Sequence, residues 1–341
     1  MKRFLSALRR LLPQLAALGI ILLLNAMISP GFFHVEMQNG RLYGSLIDVI
    51  NRGAPVALLA IGMTLVIATK GIDLSVGAVM AITGAVAASL ITQGYPLVAT
   101  LGGTLAVGLF CGLWNGALVA LLDIQPIIAT LILMVAGRGI AQLITEGIIL
   151  TFNDKPDLIF VGSGAFLGLP MPFIIWFVMA ILMVTIVRRT ALGLLIEAIG
   201  VNRRASTLSG VGSRSLLFAV YATSGLCAAI AGIIAAADIK GADANNAGLW
   251  LELDAILAVV IGGNSLLGGR FSIAGSLIGA MIMQSVNTGI LLSGFPPEFN
   301  LIIKAVIILI ILVVQSPTSQ SLWTFLRRDR HPTAKQERAV R

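Results

Sequence analysis

The sequence predicts an all-α, polytopic membrane protein with about ten transmembrane helices, and three observations carry that prediction. Hydrophobic residues fill 57% of the 341 positions and charged residues only 11%, with a mean hydropathy of +0.99. A soluble domain carries about 25% charged residues, so this chain lacks the polar surface to cover itself in water. Its apolar stretches are continuous and of the length that crosses a hydrocarbon core at roughly 20 residues per helix, unlike the alternating segments of a barrel. The 23 Lys and Arg residues gather at the two termini and in one central segment, which reads as membrane topology and not as a nucleic-acid-binding face.

The apolar stretches run near 12–28, 54–69, 75–92, 97–121, 125–145, 171–187, 216–237, 253–266, 272–293 and 300–315. The first follows M-K-R-F-L-S-A-L-R-R and reads as an uncleaved span, not a signal peptide, because the rest of the chain is itself membrane-embedded. Residues 30–53 mix apolar and charged positions and read as an outer segment with an amphipathic helix. Between the fourth and fifth stretches, D-I-Q-P offers Asp123 as a helix cap and Pro126 as a first-turn residue. Several stretches are short for a full crossing, as broken helices beside a transport pathway are. Residues 1–315 thus form a transmembrane domain carrying a cytoplasmic segment, 188–215, and residues 316–341 form a basic, polar cytoplasmic tail.

With a cytoplasmic N-terminus and one crossing per stretch, seventeen basic residues fall inside and only Arg41, Arg52, Lys155 and Lys240 outside, while Arg138 and Lys304 lie within spans. Cytoplasmic loops are the ones enriched in Lys and Arg, so both termini are expected in the cytoplasm. Cys111, Cys227, His34 and His331 stand too far apart for a metal site or a disulfide framework.

Two breaks carry polar residues between apolar stretches. In T-K-G-I-D-L-S-V-G, Lys70 is expected to close one helix, Gly71 to take a left-handed turn, and Asp73 to cap the next helix, with Gly77 in its first turn. In G-G-N-S-L-L-G-G-R, Asn264 or Ser265 is expected to cap, and the pairs Gly262–Gly263 and Gly268–Gly269 allow close helix approach. Gly71, Gly77 and Gly84 recur at an offset of 191 as Gly262, Gly268 and Gly275, a hint of duplication.

The central segment places Leu192, Leu195, Ile196 and Ile199 on one helical face, with a turn at Gly200–Asn202 and a second short helix from Arg203 to Leu208. That apolar face must pack either on the chain's own spans or on another protein. A-I-G-V-N-R-R-A-S-T-L-S-G-V, together with G-I-D-L-S-V-G, Q-P-I-I-A-T-L…G-R-G-I-A and G-G-N-S-L-L-G-G-R…G-S-L-I-G-A…N-T-G-I-L-L, resembles the permease subunits of bacterial ATP-driven sugar importers of the ribose, arabinose and galactose type. The four motifs occur in the same order and cover residues 54–315; Ile132 and Phe271 depart from the pattern by adding bulk.

The resemblance implies an ATP-binding-cassette importer permease fold. Its expected partners are an ATPase subunit, a second permease copy (identical or paralogous), a periplasmic sugar-binding protein and the membrane lipid. Glu197, Ala198, Gly200, Asn202, Ala205 and Gly210 would form the element that grips the ATPase. The sequence holds no G-x-x-x-x-G-K-[ST] and no Gly-Lys pair, so no nucleotide cofactor is expected on this chain and ATP would be consumed by the partner. Polar residues within spans usually face a protein interior or a water-filled space; Asn115, Gln284, Asn287 and Arg138 are the candidates for a sugar path, with Arg138 alternatively paired to Glu146 and Lys304 to Glu298. An ion-gradient-driven transporter of a small polar solute is the competing class. It is disfavoured because the acids fall at breaks and loops, and a membrane-embedded enzyme is disfavoured because no carboxylate or His/Cys cluster is present.

Overall fold

The computed structural model describes residues 2–38, 40–294, 296 and 299–315; the basic tail expected at 316–341 lies outside the described residues. The helices are α1 (Lys2–Ile28), α2 (Ser45–Arg52), α3 (Ala54–Ala68), α4 (Val76–Thr92), α5 (Leu97–Ala120), α6 (Pro126–Ile144), α7 (Pro156–Ser163), α8 (Met171–Arg189), α9 (Leu192–Val201), α10 (Arg203–Leu208), α11 (Ser213–Ile239), α12 (Leu251–Ile261), α13 (Ile273–Leu292) and α14 (Asn300–Gln315). Three short antiparallel ladders pair β1 (Glu36–Gln38) with β2 (Arg41–Tyr43), β3 (Leu150–Thr151) with β6 (Gly241–Ala242), and β4 (Ala165–Phe166) with β5 (Leu169–Pro170).

Each of the ten apolar stretches is a helix, but they are not ten helices of crossing length. Six are long and apolar enough to span (α1 from Leu11, α5, α6, α8, α11 and α13), and a seventh arises if α2 and α3, bent by 41° at their junction, form one span. The expectation for 253–266 is the most altered. α12 has only 11 residues, about 16 Å at 1.5 Å per residue, roughly half of a hydrocarbon core.

Burial sorts the helices into two shells. α1, α5, α6 and α8 turn much of their apolar surface outward, with Val98, Val135 and Leu23 exposed, as lipid-facing helices do, whereas α11 and α13 are largely enclosed. α3 is enclosed on every side, as expected of a helix that is hydrophobic all round. α11 is the axis on which α3, α4 and α5 pack. A Cβ on Gly225 would collide with the backbone of Gly108 and Gly112, and one on Gly232 with the Met80 carbonyl and the Thr83 hydroxyl, so small residues set the close helix approach that stabilises bundles in lipid.

The loops gather at two ends. One end joins the 69–75 break, the 121–125 turn, the 188–215 segment and the 262–272 break, and it carries Lys70, Arg188, Arg189, Arg203, Arg204, Arg214 and Arg270. The opposite end holds the three β ladders and α7, with Arg41, Arg52, Lys155 and Lys240. This is the division that the charge asymmetry requires. The offset of 191 does not survive as matched geometry: the first break spans 69–75 and the second 262–272, and Gly84 lies mid-helix while Gly275 lies in a first turn.

Between β6 and α12 the chain enters the bundle without being helical. The Ala244 and Ala247 carbonyls accept hydrogen bonds from the Arg138 guanidinium, well inside α6, and Gly248 touches Gly77 at the first turn of α4. Irregular backbone at that depth is tolerated where protein covers it.

Candidate functional site

The 69–75 break is a polar knot between helices. The Asp73 carboxylate accepts the Ser75 amide at 3.0 Å, the Ser75 hydroxyl at 2.6 Å and, from α11, the Ser224 hydroxyl at 2.7 Å. Asn115 of α5 donates to the Ser75 hydroxyl oxygen at 2.8 Å, and the Thr130 hydroxyl of α6 accepts the Leu74 amide at 3.1 Å. Asp73 is only 2% exposed. The expected cap is therefore replaced by a turn two residues before the helix, since α4 starts at Val76 and Asp73 binds ahead of it. Lys70, not Gly71, takes the left-handed conformation, with φ 65°. Its ammonium donates to the Val201 carbonyl at 3.0 Å, which ties the break to α9. Gly71 is needed for another reason: a side chain there would press on the Tyr221 hydroxyl.

The 262–272 break is clamped by Asn264, whose amide donates to the Val259 carbonyl at 3.0 Å and the Ser276 hydroxyl at 2.9 Å and whose oxygen accepts the Ser272 amide at 2.6 Å. Ser272, rather than Asn264 or Ser265, caps α13 by accepting the Gly275 amide. Gly263, Gly268 and Gly269 take positive φ of 86°, 76° and 90°. The two breaks meet, because the Gly269 amide donates to the Ala68 carbonyl at 2.9 Å. Asp123 has no capping role; it pairs with Arg203 at 3.0 Å, and Gln125 is the N-cap of α6.

The central segment forms the expected helix-turn-helix, and its apolar residues serve both readings. Gly193, Ile196, Ile199 and Gly200 are buried on the chain's own helices. Leu194, Val201 and Leu208 (90% exposed) point away with Leu266 and Leu267, leaving an unpartnered apolar rim among basic residues. Asn202 caps α10, its side-chain oxygen accepting the Ala205 amide at 3.0 Å, and Gly210 turns the chain with φ 85°. Glu197 and Ala198 are half-buried, and Glu197 lines a cavity of about 280 Å³ with Arg188 and Phe271. A larger cavity of about 470 Å³ opens between α9, α10 and the first break, lined by Lys70, Asp123, Asn202, Arg204 and Tyr221.

At the opposite end, α2, α4, α11 and the descending 241–248 backbone enclose a cavity of about 390 Å³. Its walls are mainly apolar, with Asn51, Arg52, Asp238, Asp243 and Asn246 as the polar side chains. The Asn246 side chain and the amides of Asn245 and Asn246 donate hydrogen bonds to the Asp243 carboxylate.

None of the four residues expected to line a sugar path borders these cavities. Asn115 is 1% exposed and bound into the Asp73 knot. Gln284 and Asn287 lie on α13, buried and half-buried. Arg138 makes no ion pair with Glu146 but holds the descending backbone by its carbonyls. Lys304 pairs with Asp254 at 2.6 Å, deep in the bundle. The acids also differ from expectation. Asp73, in the 69–75 break, and Glu252 and Asp254, in the first turn of α12, are buried, because both places lie inside the bundle and not at its surface. Only the alternation of breaks and spans was visible in the residues, and depth was not.

Comparison with known proteins identifies the family of branched-chain amino acid transport system / permease components over residues 45–312. The galactofuranose transporter permease protein YtfT of Escherichia coli (strain K12) is 61% identical over 311 residues, covering 91% of this chain and 91% of its own. The fructose import permease protein FruF of Bifidobacterium longum (strain NCC 2705) is 43% identical over 86% of this chain and 83% of its own. The ribose import permease protein RbsC of Escherichia coli (strain K12) is 38% identical over 89% of this chain and 92% of its own. The resemblance carried by the four motifs, with its finer likeness to the galactofuranose permease of enteric bacteria, agrees with these matches. No solved structure matches the chain.

Proposed function

The chain belongs to the family of branched-chain amino acid transport system / permease components, and on that premise we propose that it is the membrane-spanning subunit of an ATP-binding-cassette importer that carries a monosaccharide, galactofuranose or a related sugar, across the bacterial inner membrane. The sugar class rests on the printed functions of relatives that share most of the chain's length. The observation that supports the mechanism is the unpartnered apolar rim of Leu194, Val201, Leu208, Leu266 and Leu267 at the basic end, which suits an ATPase subunit docked on α9 and α10.

The basic end faces the cytoplasm with both termini, and all ten apolar helices run between the two faces, the short α12 being completed by the descending 241–250 backbone. The ATPase binds and hydrolyses ATP; this chain supplies the passage and the docking element. Glu197, Ala198, Asn202, Ala205 and Gly210 belong to that element, while Gly200 anchors it to the bundle. A second permease copy completes the passage, and a periplasmic binding protein delivers sugar at the opposite end.

The reading is tested by reconstituting the chain with its ATPase and a second permease copy in liposomes. Import of radiolabelled galactose, whose solutions contain the furanose ring, should need both ATP and the binding protein. Uptake driven by a proton or sodium gradient without ATP would refute the reading and restore the competing class, in which buried Glu252 or Asp254 would serve as relays.

A further inference from the structure

The hairpins β1–β2 and β4–β5 are joined to the two spans that are least enclosed by the rest of the chain. β1 follows α1 after a short turn, β5 runs directly into α8, and α1 and α8 are the least buried of the six candidate spans. The hairpins also bind each other: the Leu42 amide donates to the Gly168 carbonyl at 2.9 Å, and Met37 packs beside Gly168. Register pairs Met37 with Leu42 on one face of β1–β2 and leaves Glu36, Gln38, Arg41 and Tyr43 on the other. That polar face is tied down within the chain. Glu36 accepts from Gln38 at 3.0 Å and pairs with His34 at 2.9 Å, and the Arg41 guanidinium donates to the Ser163 carbonyl at the end of α7. The apolar side is left open. Leu167, at the tip of β4–β5, is 86% exposed, and Phe166 and Met37 are exposed with it. Leu167 also takes φ 53°, at a hairpin position that Asn or Gly ordinarily fills because a bulky side chain resists the left-handed conformation. Nothing in the chain's own core covers it.

We infer that the joined hairpins are an interfacial anchor, with Phe166, Leu167 and Met37 set into the outer leaflet of the bilayer between headgroups and acyl chains. The level follows from α8. Arg188 and Arg189 close its cytoplasmic end, and the helix from Met171 to Arg188 measures about 26 Å, close to the ~30 Å of a hydrocarbon core. β5 ends where α8 begins, so the hairpin starts where the core gives way to headgroups. The apolar part of α1, Leu11–Ile28, is about 27 Å long and reaches the same level. Phe33 is exposed in the turn that leads from there to β1. Aromatic and large apolar side chains favour this layer, and an adjoining ionic face can meet headgroups and water. The periplasmic binding protein is the other candidate for an apolar external patch. It is disfavoured because the hairpins extend the two helices most open to lipid, and because Glu36 and Arg41, which could steer a soluble partner, are engaged within the chain. An anchor here fixes the outer ends of several helices against the bilayer, since Arg41 holds the end of α7 and the Trp176 indole of α8 donates to the Ile50 carbonyl of α2.

The test places the complex of this chain, its ATPase and a second permease copy in nanodiscs of phosphatidylethanolamine and phosphatidylglycerol. An environment-sensitive fluorophore is attached to Leu167→Cys; Cys111 and Cys227 are buried and do not compete for it. Asp154→Cys is the control, since the Asp154 side chain is open to solvent at the same end. Lipid carrying a nitroxide near the top of its acyl chain should quench the Leu167→Cys label at least about threefold more than the control, and aqueous iodide at least about threefold less, as for a side chain in the headgroup–acyl boundary. Equal quenching at the two sites overturns the anchor. If Leu167→Cys does not fold, Phe166→Cys carries the label with the same two outcomes. In unlabelled complex, Leu167→Asp should leave the binding-protein concentration for half-maximal ATP hydrolysis within about twofold. A rise toward tenfold, about the scale of losing one interface anchor, assigns the tip to the binding protein and overturns the inference. Quenching requires no transport, so a complex that fails to import removes the importer reading and leaves the anchor to be judged by the label.

Discussion

Gly200 offers the sharpest test of how the cytoplasmic element is joined to the bundle. A Cβ on Gly200 would overlap the Ala68 carbonyl oxygen and stand 2.5 Å from the Gly269 amide nitrogen, where side-chain carbons do not come within 3.0 Å. Neither neighbour can yield alone, because the Gly269 amide donates to that same Ala68 carbonyl. Gly200→Ala must therefore lift α9 from the breaks or separate the two breaks. Overpacking of this kind costs about 1–3 kcal/mol, which multiplies the population with α9 displaced by about 5- to 150-fold. Gly212→Ala is the control in the same segment: its φ is −69° and the nearest atom to an added Cβ is the Ser215 hydroxyl oxygen at 4.0 Å. In the reconstituted complex, Gly200→Ala should unfold several degrees earlier and import at least about fivefold less sugar per ATP hydrolysed, and Gly212→Ala should match wild type on both measures. A Gly200→Ala complex with wild-type unfolding temperature and wild-type coupling would show that the foot is not seated on the breaks, and the reasoning would fail.

Leu208 is 90% exposed on α10, so Leu208→Asp should abolish co-purification with the ATPase while leaving the unfolding temperature of the isolated chain unchanged; loss of both together would place Leu208 in the core instead. The Lys304–Asp254 pair joins α14 to α12 in a buried setting, so Asp254→Asn or Lys304→Met alone should destabilise the chain by about 3–5 kcal/mol, and the double change Asp254→Leu with Lys304→Met should recover most of it. Thermal unfolding in detergent reads both, and a double variant no better than the singles would contradict the pairing. Cysteine placed at Arg203 should react with a membrane-impermeant reagent only in inside-out vesicles, and cysteine at Asn245 only in right-side-out ones; the reverse pattern would invert the topology.

Helix type and order were legible in the residues because the signals are long and redundant: each apolar stretch became a helix, and the loop charges sorted the ends. What misled was depth. T-K-G-I-D-L-S-V-G looks like a surface turn because Lys70 and Asp73 are charged, yet Asp73 is buried, bound by the adjacent Ser75 and by Ser224 of α11, which lies far away in sequence. Likewise Asn115 and Arg138 looked like path-lining residues because polar groups in spans are rare, and Lys304 looked like a partner for Glu298. Each instead binds a particular partner: Ser75, the Ala244 and Ala247 carbonyls, and Asp254, while the Asn115 side-chain oxygen is left without one. Arg52 counted only as an outer charge and Asp238 drew no notice, because both sit at helix ends, where charges are ordinary.

The same geometry joins the two ends of the molecule. α9 rests by Gly200 on the Ala68 carbonyl at the end of α3, and the Lys70 ammonium binds the Val201 carbonyl across the same seam. Three residues on, Asp73 and Ser75 fix the start of α4 to α11 and α5. α4 and α11 in turn supply the cavity wall through Met80, Ala81, Gly84, Gly232 and Asp238. Apart from the exposed Lys70 bond, every link is a backbone contact or a buried hydrogen bond between stiff elements, so a displacement of α9 has little compliance in which to dissipate before it reaches that wall. This accounts for polar residues being set inside an apolar bundle: hydrophobic packing alone allows helices to slide, since lipid tails are as apolar as the side chains they would replace. Directional bonds at the break oblige α3, α4 and α11 to move as one body.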